Sequence, residues 1–252
     1  RGAVGRPTGE RGAVLPMVMV GAVAGLIFLE PDYGTTLLSG VVGLAMLFVG
    51  GARVLYLSLF GAVGAIGFAL AVLNDPVRWN RIIAFLRQEQ FAQTYSFQLV
   101  SSINAFIAGG PLGVGLGNSI QKHYYLPEAH TDFIFAIIGE ELGVGATLGV
   151  VALFAAILVC GLRISLRAAD TFGRLLAFGI TLMIALQAMI NIGVVVGLLP
   201  TKGLPLPFIS AGGSSLVLSL VQIGVLYNIG LHGRDPVAAE ESRPIKDQIH
   251  HF

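Results

Sequence analysis

Charged residues are scarce in this 252-residue chain: Asp, Glu, Lys and Arg make up only 12% of it, whereas soluble domains carry about 25%. The formal net charge is +1, which gives no reason to expect a nucleic-acid partner. The single cysteine, Cys160, excludes an intrachain disulfide framework and a cysteine-based metal site. The sequence contains no Ser-His-Asp order, HExxH motif or P-loop. The lack of charge points to a lipid environment.

Apolar residues are correspondingly abundant, at 55% of the chain with a mean hydropathy of +0.81. The 34 glycines are typical of helices that pack closely inside a bilayer. Six stretches are long and apolar enough to cross a membrane as helices. They lie near Ala13–Leu29, Thr35–Val49, Val54–Leu73, Phe133–Leu162, Leu175–Leu199 and Phe208–Leu231. The sequence therefore predicts an all-α protein, a polytopic transmembrane helical bundle.

Basic residues are distributed unevenly between the predicted loops. Ten of the 15 Lys and Arg residues fall on the face that carries both tails, and the others are Arg78, Arg81, Arg87, Lys122 and Lys202. The positive-inside rule then predicts cytoplasmic tails at residues 1–12 and 232–252, around a transmembrane region at residues 13–231. The large loop at residues 74–131 is predicted to be extracytoplasmic. Its first part, Asn74–Gln90, suits an amphipathic segment on the membrane surface.

The same loop contains alternating glycines at Gly113, Gly115 and Gly117. No strand precedes them, so a dinucleotide-binding loop is excluded. A flexible hinge or a close approach of the backbone to a ligand is predicted instead.

Polar side chains beside a bilayer are costly, and the densest run of them directly precedes the fourth span. Thr131 or Asp132 can cap the helix that follows. Alternatively, Asp132 is a carboxylate at the outer rim of a cavity that acts as a base. Within the span, Glu140 and Glu141 are expected to line a polar interior, to meet an arginine or to stay protonated.

Two further polar clusters interrupt the apolar runs. Glu30–Thr36 separates the first two spans, either as a tight outer turn or as part of a site. Lys202 lies between the last two spans and is followed by the Gly/Ser stretch Ser210–Ser215. A lysine beside such a stretch suits an anionic diphosphate, and snorkelling of Lys202 to the membrane surface is the alternative.

Three stretches closely resemble the SEDS family, which comprises FtsW, RodA and SpoVE. They are EPDYGTTLL (Glu30–Leu38), GVGLGNSIQKHYYLPEAHTDFIFAIIGEELG (Gly113–Gly143) and NIGVVVGLLPTKGLPLPFISAGGSSL (Asn191–Leu216). The PTKG and NSIQK runs are most similar to the FtsW type. Family members have about ten spans against about six here, and the first residue is Arg1 rather than Met. We therefore expect the chain to begin inside a longer protein and to be inactive alone.

The resemblance implies a peptidoglycan glycosyltransferase that polymerises lipid II into glycan strands and releases undecaprenyl diphosphate. The essential aspartate of the family's PEAHTD motif falls on Asp132, which would act as general base or position the attacking sugar hydroxyl. Lys202 would help to hold the diphosphate. The other candidate substrate-binding residues are Glu128, His130, Lys122, Ser210 and Ser214.

The resemblance also implies a setting: septal cell-wall synthesis during division, in the bacterial cytoplasmic membrane. The implied partners are a class B penicillin-binding protein, which is a transpeptidase, and other divisome membrane proteins. No cofactor is assigned, and the need for a divalent cation such as Mg²⁺ or Mn²⁺ stays open.

Alternative functions use the same residues. One is a flippase that transports lipid II across the membrane, and others are RodA-like elongation or SpoVE-like sporulation polymerases. A scaffold that only recruits the transpeptidase would leave the polar clusters unexplained. A transporter is expected to hold its site near the bilayer midplane, whereas Asp132 and Lys202 lie at the predicted outer ends of spans. Glu140 is the residue that favours transport.

Overall fold

The computed structural model describes residues 10–30, 32–87, 96–121 and 130–233, and all regular secondary structure in these ranges is helical. The long helices are α1 (Glu10–Leu29), α2 (Tyr33–Val49), α3 (Val54–Asn74), α4 (Pro76–Leu86), α5 (Phe97–Gly109), α6 (Ile134–Arg167), α7 (Thr171–Val195) and α8 (Gly213–Leu231). The predicted all-α fold is confirmed.

Four of the described helices, α3, α6, α7 and α8, are long and apolar enough to cross a membrane. The apolar part of α1 (Val14–Leu29), α2 and α5 are shorter apolar helices. Each predicted span overlaps one helix, and these helices, α1, α2, α3, α6, α7 and α8, follow one another in the predicted order. Their outer surfaces are apolar: Leu59 of α3 is 63% exposed and Leu220 of α8 is 57% exposed. Such surfaces suit contact with lipid.

The main core lies between α6 and α7, with α5 packed against both. Glycines allow these helices to approach closely, as is common in membrane proteins. Gly161 of α6 contacts Thr181 of α7, and Gly179 of α7 contacts Met46 of α2. The core also includes Phe133 and Leu206 from the segments that precede α6 and α8. Two of the connecting segments are therefore fixed by the core.

The long predicted outer loop begins with α4. Asp75 ends α3 and caps α4, because its carboxylate accepts hydrogen bonds from the backbone N–H groups of Val77 (3.0 Å) and Arg78 (3.3 Å). Pro76 occupies the first position of α4, where a missing N–H costs nothing. The segment predicted to be amphipathic therefore contains a helix that starts immediately at the end of α3.

Helix α6 is broken at Gly143, which has a φ of 76° and a ψ of −178°. This backbone conformation is essentially restricted to glycine. Because the helix does not continue regularly through Gly143, the carbonyl groups of Glu140 and Glu141 need other hydrogen-bond donors.

The loop between α5 and α6 supplies these donors. The freed carbonyl oxygens of α6 accept hydrogen bonds from the backbone nitrogens of Val114 (2.9 Å) and Gly115 (3.0 Å). In the opposite direction, the backbone nitrogen of Val144 donates to the carbonyl oxygen of Gly110 (3.1 Å). Gly113 has no room for a Cβ, which would meet the backbone of α6. The loop therefore approaches α6 closely, and its predicted approach to a ligand stays a prediction.

Candidate active site

Asp132 lies in the turn before α6, which begins at Ile134. The cap position of this helix falls on Phe133, whose side chain makes no cap hydrogen bond, and not on Thr131 or Asp132, the residues considered as caps from the sequence. The Asp132 carboxylate lies instead beside Gly203, where a Cβ would be 2.6 Å from Oδ2 of Asp132. The turn is held by its backbone, and this leaves the carboxylate directed toward the segment that contains Lys202.

Asn191 of α7 fastens the Asp132 turn to that segment. Its side-chain nitrogen donates hydrogen bonds to the carbonyl oxygens of Asp132 (2.7 Å) and Leu204 (2.6 Å). Asn191 is only 1% exposed, so both contacts are shielded from water and costly to lose.

Ser210 provides a second connection between the same two segments. Its hydroxyl donates to the carbonyl oxygen of Thr131 (2.6 Å) and accepts a hydrogen bond from the backbone nitrogen of Leu206 (2.7 Å). The backbone nitrogen of Ala211 also donates to the carbonyl oxygen of His130 (2.9 Å). These contacts give Ser210 a structural role, and its predicted contact with substrate stays a prediction.

Lys202 extends from the α7–α8 segment to the first turn of α2. A Cβ at Gly34 would overlap the end of the Lys202 side chain. Burial lowers the pKa of Lys202 from its ordinary value of 10.5 to about 8. The carboxylate of Asp32 opposes this shift, whereas the positive charges of Arg78 and Arg81 add to it. The ammonium group therefore lies in a partly dehydrated environment, under the influence of one carboxylate and two guanidinium groups.

Asp32 defines the start of α2. Its carboxylate accepts hydrogen bonds from the backbone nitrogens of Gly34 and Thr35 (both 3.1 Å) and from the hydroxyl of Thr35 (2.6 Å). Asp32 and Gly34, which follow the first predicted span, therefore lie close to the Lys202 side chain. The helix cap holds Asp32 in place beside the lysine.

Arg78 of α4 lies over the ring of Tyr33, the first residue of α2, with Cζ 3.4 Å from the ring centroid. The ring itself is fixed by edge-to-face contacts with Phe28 (4.8 Å between centroids) and Phe68 (5.7 Å). Arg78 also forms an ion pair of 2.8 Å with Asp75. The guanidinium is thus held beside the residue that precedes Gly34.

Sequence reasoning did not include Arg78, Arg81 or Asn191 among the candidate site residues, although the sequence gave some indication of each. Arg78 and Arg81 are three residues apart and so share one face of α4. Asn191 is a polar residue in an apolar span, and such residues are commonly functional or structural. No local sequence pattern predicted the contact between Arg78 and Tyr33 or the contact between Lys202 and Gly34.

Glu140 is a buried carboxylate, 1% exposed, in the N-terminal part of α6. It accepts hydrogen bonds from the Ser119 hydroxyl and from the backbone nitrogens of Ile120 (3.0 Å) and Gln121 (3.4 Å). Of the alternatives predicted for Glu140, the structure thus supports a polar interior, which the Ser119 hydroxyl and two backbone N–H groups provide. Glu141 is also buried, at 9% exposed.

The remaining candidates are placed as follows. Lys122 and Glu128 lie outside the described residues. His130 is exposed, and Ser214 is exposed in the first turn of α8. Within the described ranges, no group of three His, Cys, Asp or Glu side chains is arranged to hold a metal ion. The fold therefore places the Asp132 carboxylate beside Gly203 and directs the Lys202 side chain from the same segment to Gly34.

The helices and this site define a multi-pass membrane protein whose polar groups meet where helices end. The chain matches the family described as "Cell cycle protein", FtsW/RodA/SpoVE, over residues 5–235, and it belongs to that family. The predicted membership is thereby confirmed.

Two curated relatives illustrate the match. A probable peptidoglycan glycosyltransferase FtsW from Nitrosococcus halophilus is 45% identical over 92% of this chain and 61% of its own length. Stage V sporulation protein E from Bacillus subtilis is 45% identical over 89% of this chain and 62% of its own length. The chain thus spans somewhat less than two thirds of these relatives.

Solved structures show the same fold. A chain from a peptidoglycan synthase complex, described for its coordination of polymerization and crosslinking, has a TM-score of 0.70 and 28% identity, covering 92% of this chain and 65% of that one. Rod shape determining protein RodA from Thermus thermophilus has a TM-score of 0.60 and 26% identity, covering 90% of this chain and 58% of that one.

Proposed function

We propose that the full-length protein containing this chain is a peptidoglycan glycosyltransferase that polymerises lipid II. The observation that carries the proposal is the convergence of Asp132 and the Lys202 segment, since the Asp132 carboxylate lies against Gly203. The Asp132 carboxylate offers a base for an attacking hydroxyl, and Lys202, which precedes Gly203 in the chain, offers a cation for an anionic leaving group. The family membership of the chain and the names of its relatives support the same activity.

In the proposed reaction, a sugar hydroxyl of one substrate attacks the anomeric carbon of another. Its proton passes to the carboxylate of Asp132, and a new glycosidic C–O bond forms. The bond between the anomeric carbon and the diphosphate breaks, and undecaprenyl diphosphate leaves with the electron pair. Lys202 stabilises the negative charge of this leaving group.

The proposed setting is the division septum of the bacterial cytoplasmic membrane, with a class B penicillin-binding protein as partner. The similarity to a chain of a peptidoglycan synthase complex supports such a partnership. Because the FtsW and SpoVE relatives are equally similar, at 45% identity, sporulation remains the second setting for the same chemistry.

The proposed orientation places residues 74–131 outside the cell, where lipid II would be used. It follows from the distribution of basic residues, ten of which fall on the opposite face. An impermeant maleimide should label Gln93→Cys in intact cells, in a variant without other reactive cysteines such as Cys160. Labelling only after permeabilisation would reverse the orientation.

Transport of lipid II is the competing function, and Glu140 was the residue that favoured it. Its carboxylate is occupied by one hydroxyl and two backbone N–H groups, which favours a structural role. Asp132 and Lys202 belong to connecting segments rather than to helix interiors. These positions suit chemistry on an exposed headgroup better than a transport site near the midplane.

Substitution of Asp132 tests the proposed function. Asp132→Asn keeps the size of the side chain and removes its charge, so loss of general-base catalysis should lower polymerisation about 10²–10⁴-fold. The measurement is glycan-strand formation from lipid II by the full-length protein with its partner, at equal protein amounts. Asp170→Asn, which alters the cap of α7 away from this site, is the control and should retain activity. Wild-type polymerisation by Asp132→Asn would remove Asp132 from the mechanism.

A further inference from the structure

One buried amide joins the two backbone segments of the candidate site. The side-chain nitrogen of Asn191 lies 2.7 Å from the carbonyl oxygen of Asp132 and 2.6 Å from that of Leu204. Because both neighbours are acceptors, the amide must present its two N–H groups to them, one to each. A serine or threonine hydroxyl has a single proton to donate and could not make both bonds. The residue type at position 191 is therefore suited to joining two carbonyl groups.

These two carbonyl groups flank the contact on which the proposed function depends. The carboxylate of Asp132 lies beside Gly203, which stands between Lys202 and Leu204 in the chain. Asn191 therefore holds the backbone on both sides of this contact, at Asp132 itself and at the residue after Gly203. A shift of either backbone would change the distance between the carboxylate and the segment that carries the lysine.

That segment depends on side chains for its conformation, because residues 200–206 belong to neither a helix nor a strand. Gln187, one turn before Asn191 on α7, donates a hydrogen bond to the carbonyl oxygen of Pro205 (2.8 Å). The Ser210 hydroxyl accepts one from the backbone nitrogen of Leu206 (2.7 Å). Two amides on one face of α7 thus hold consecutive carbonyl groups, but of these two side chains only that of position 191 is seen to bond the Asp132 turn as well.

Phe208, a little further along, has a left-handed backbone conformation with a φ of 67°. Such a conformation is unfavourable for a bulky residue and persists where surrounding contacts fix the chain. Here the Phe208 ring stacks on Phe154 of α6, with 6.5 Å between the centroids. The backbone nitrogens of Ile209 (3.3 Å) and Ser210 (3.0 Å) both donate to the carbonyl oxygen of Leu206. The segment is therefore held in one conformation at both ends of its buried part.

We propose that Asn191 is a positioning residue of the reaction, which fixes the Asp132 carboxylate relative to the segment that carries Lys202. This inference rests on the proposed function and extends it to a residue inside α7. Asn191 is 1% exposed and acts through the two backbones that it joins. Rates of reaction depend steeply on such geometry, since a displacement of about 1 Å can lower the rate about 10²-fold.

Kinetics of the full-length protein with its partner test the proposal. Asn191→Leu keeps the branched shape of the side chain and removes both donors, so kcat for lipid II polymerisation should fall about 10²-fold. KM should stay within about twofold, because binding of the substrate is not removed. Gln187→Met is the matched control: it removes a donor from the same face of α7 and to the same segment, and it should retain most of kcat.

Hydrogen exchange measures the positions of the two segments without reference to catalysis. In Asn191→Leu, the amide protons of residues 130–136 and of residues 204–211 should both exchange faster than in the wild type, because the bond that joins these segments is lost. In Gln187→Met, only residues 204–211 should exchange faster. Thermal unfolding in detergent identifies misfolded variants. If Asn191→Leu does not fold, Asn191→Ser, which is smaller and supplies at most one donor, should show the same loss of kcat and decides the outcome.

The proposal and the proposed function fail in different experiments. A folded Asn191→Leu with wild-type kcat, equal losses of kcat in Asn191→Leu and Gln187→Met, or unchanged exchange at residues 130–136 would each overturn the positioning role. If these results occur while Asp132→Asn is inactive, the proposed function stands without Asn191. If Asp132→Asn polymerises lipid II like the wild type, the base assignment fails, and the exchange data still show whether Asn191 joins the two segments.

Discussion

The side chain of Lys202 occupies the space that a side chain at Gly34 would fill. This relationship joins the PTKG segment to the start of α2 and brings Lys202 within the influence of Asp32. The absence of a side chain at position 34 is therefore what allows the lysine to reach the charged groups Asp32, Arg78 and Arg81.

Replacement of this glycine should displace the lysine without unfolding the protein. In Gly34→Ala the new methyl group meets the far end of a flexible side chain, which can move away. We expect Lys202 to leave its position and the affinity of the full-length protein for farnesyl diphosphate, a short probe whose binding is measured by calorimetry, to fall about tenfold, with little change in melting temperature.

Gly40→Ala provides the matched control, because it lies on the same helix and its added Cβ would meet nothing within 4 Å. It should leave binding unchanged and stabilise α2 slightly, by up to about 1 kcal/mol. Equal binding by the two variants would show that the contact between Lys202 and Gly34 does not matter for the ligand.

The lowered pKa of Lys202 predicts a specific dependence of diphosphate binding on pH. In the free protein the pKa is about 8, so the lysine is charged below that pH and increasingly neutral above it. An anion favours the charged form, and binding must therefore raise the pKa. Affinity should be highest below pH 8 and should fall above it, by up to about tenfold per pH unit.

Lys202→Arg separates this effect from other titrations, including that of the probe. Arginine stays protonated throughout the range, so the affinity of this variant for farnesyl diphosphate should not decline between about pH 8 and pH 9.5. The charged groups identified around Lys202 are Asp32, Arg78 and Arg81. A decline of the same size in Lys202→Arg would contradict the assignment.

The break in α6 predicts a large difference between two nearby glycines. Gly143→Ala forces a side chain into a glycine-restricted conformation and brings its Cβ to 2.6 Å from the Gly113 nitrogen and the Pro111 oxygen. The backbone strain alone should cost about 1–3 kcal/mol, and the contacts add to this cost. Gly145→Ala, where a Cβ meets nothing within 4 Å, should be nearly neutral. Thermal unfolding in detergent measures both, and equal melting temperatures would show that the break is not required.

The positions of the spans could be predicted from the sequence, because apolar length is a local property of the chain. All six predicted spans overlap helices, although the fourth was not expected to be broken. Gly143 gave no signal, since glycine is frequent in membrane helices and does not by itself interrupt them. The break depends on the loop that approaches α6. The contact between this loop and α6 joins residues far apart in sequence, so no local sequence pattern predicts it.

The site was predictable to a lesser extent. Asp132 and Lys202 stood out as polar residues beside apolar spans, and the sequence left open whether Asp132 caps the helix; the cap position falls on Phe133. The position of its carboxylate depends on Asn191 and Ser210, which hold the backbone from other helices and segments. The meeting of Arg78 with Tyr33 likewise follows from packing between α2, α3 and α4. Long-range contacts of this kind cannot be derived from residue spacing.

The hydrogen bonds that bridge the break in α6 make two distant parts of the chain open together. If the loop leaves, the Val114 and Gly115 amides lose their acceptors, and the Val144 amide loses the Gly110 carbonyl. Their protons should therefore exchange with solvent deuterium in one cooperative step rather than separately. The same event would remove Ser119 from Glu140, so a single local unfolding reaction couples the helix that follows Asp132 to the loop that precedes it.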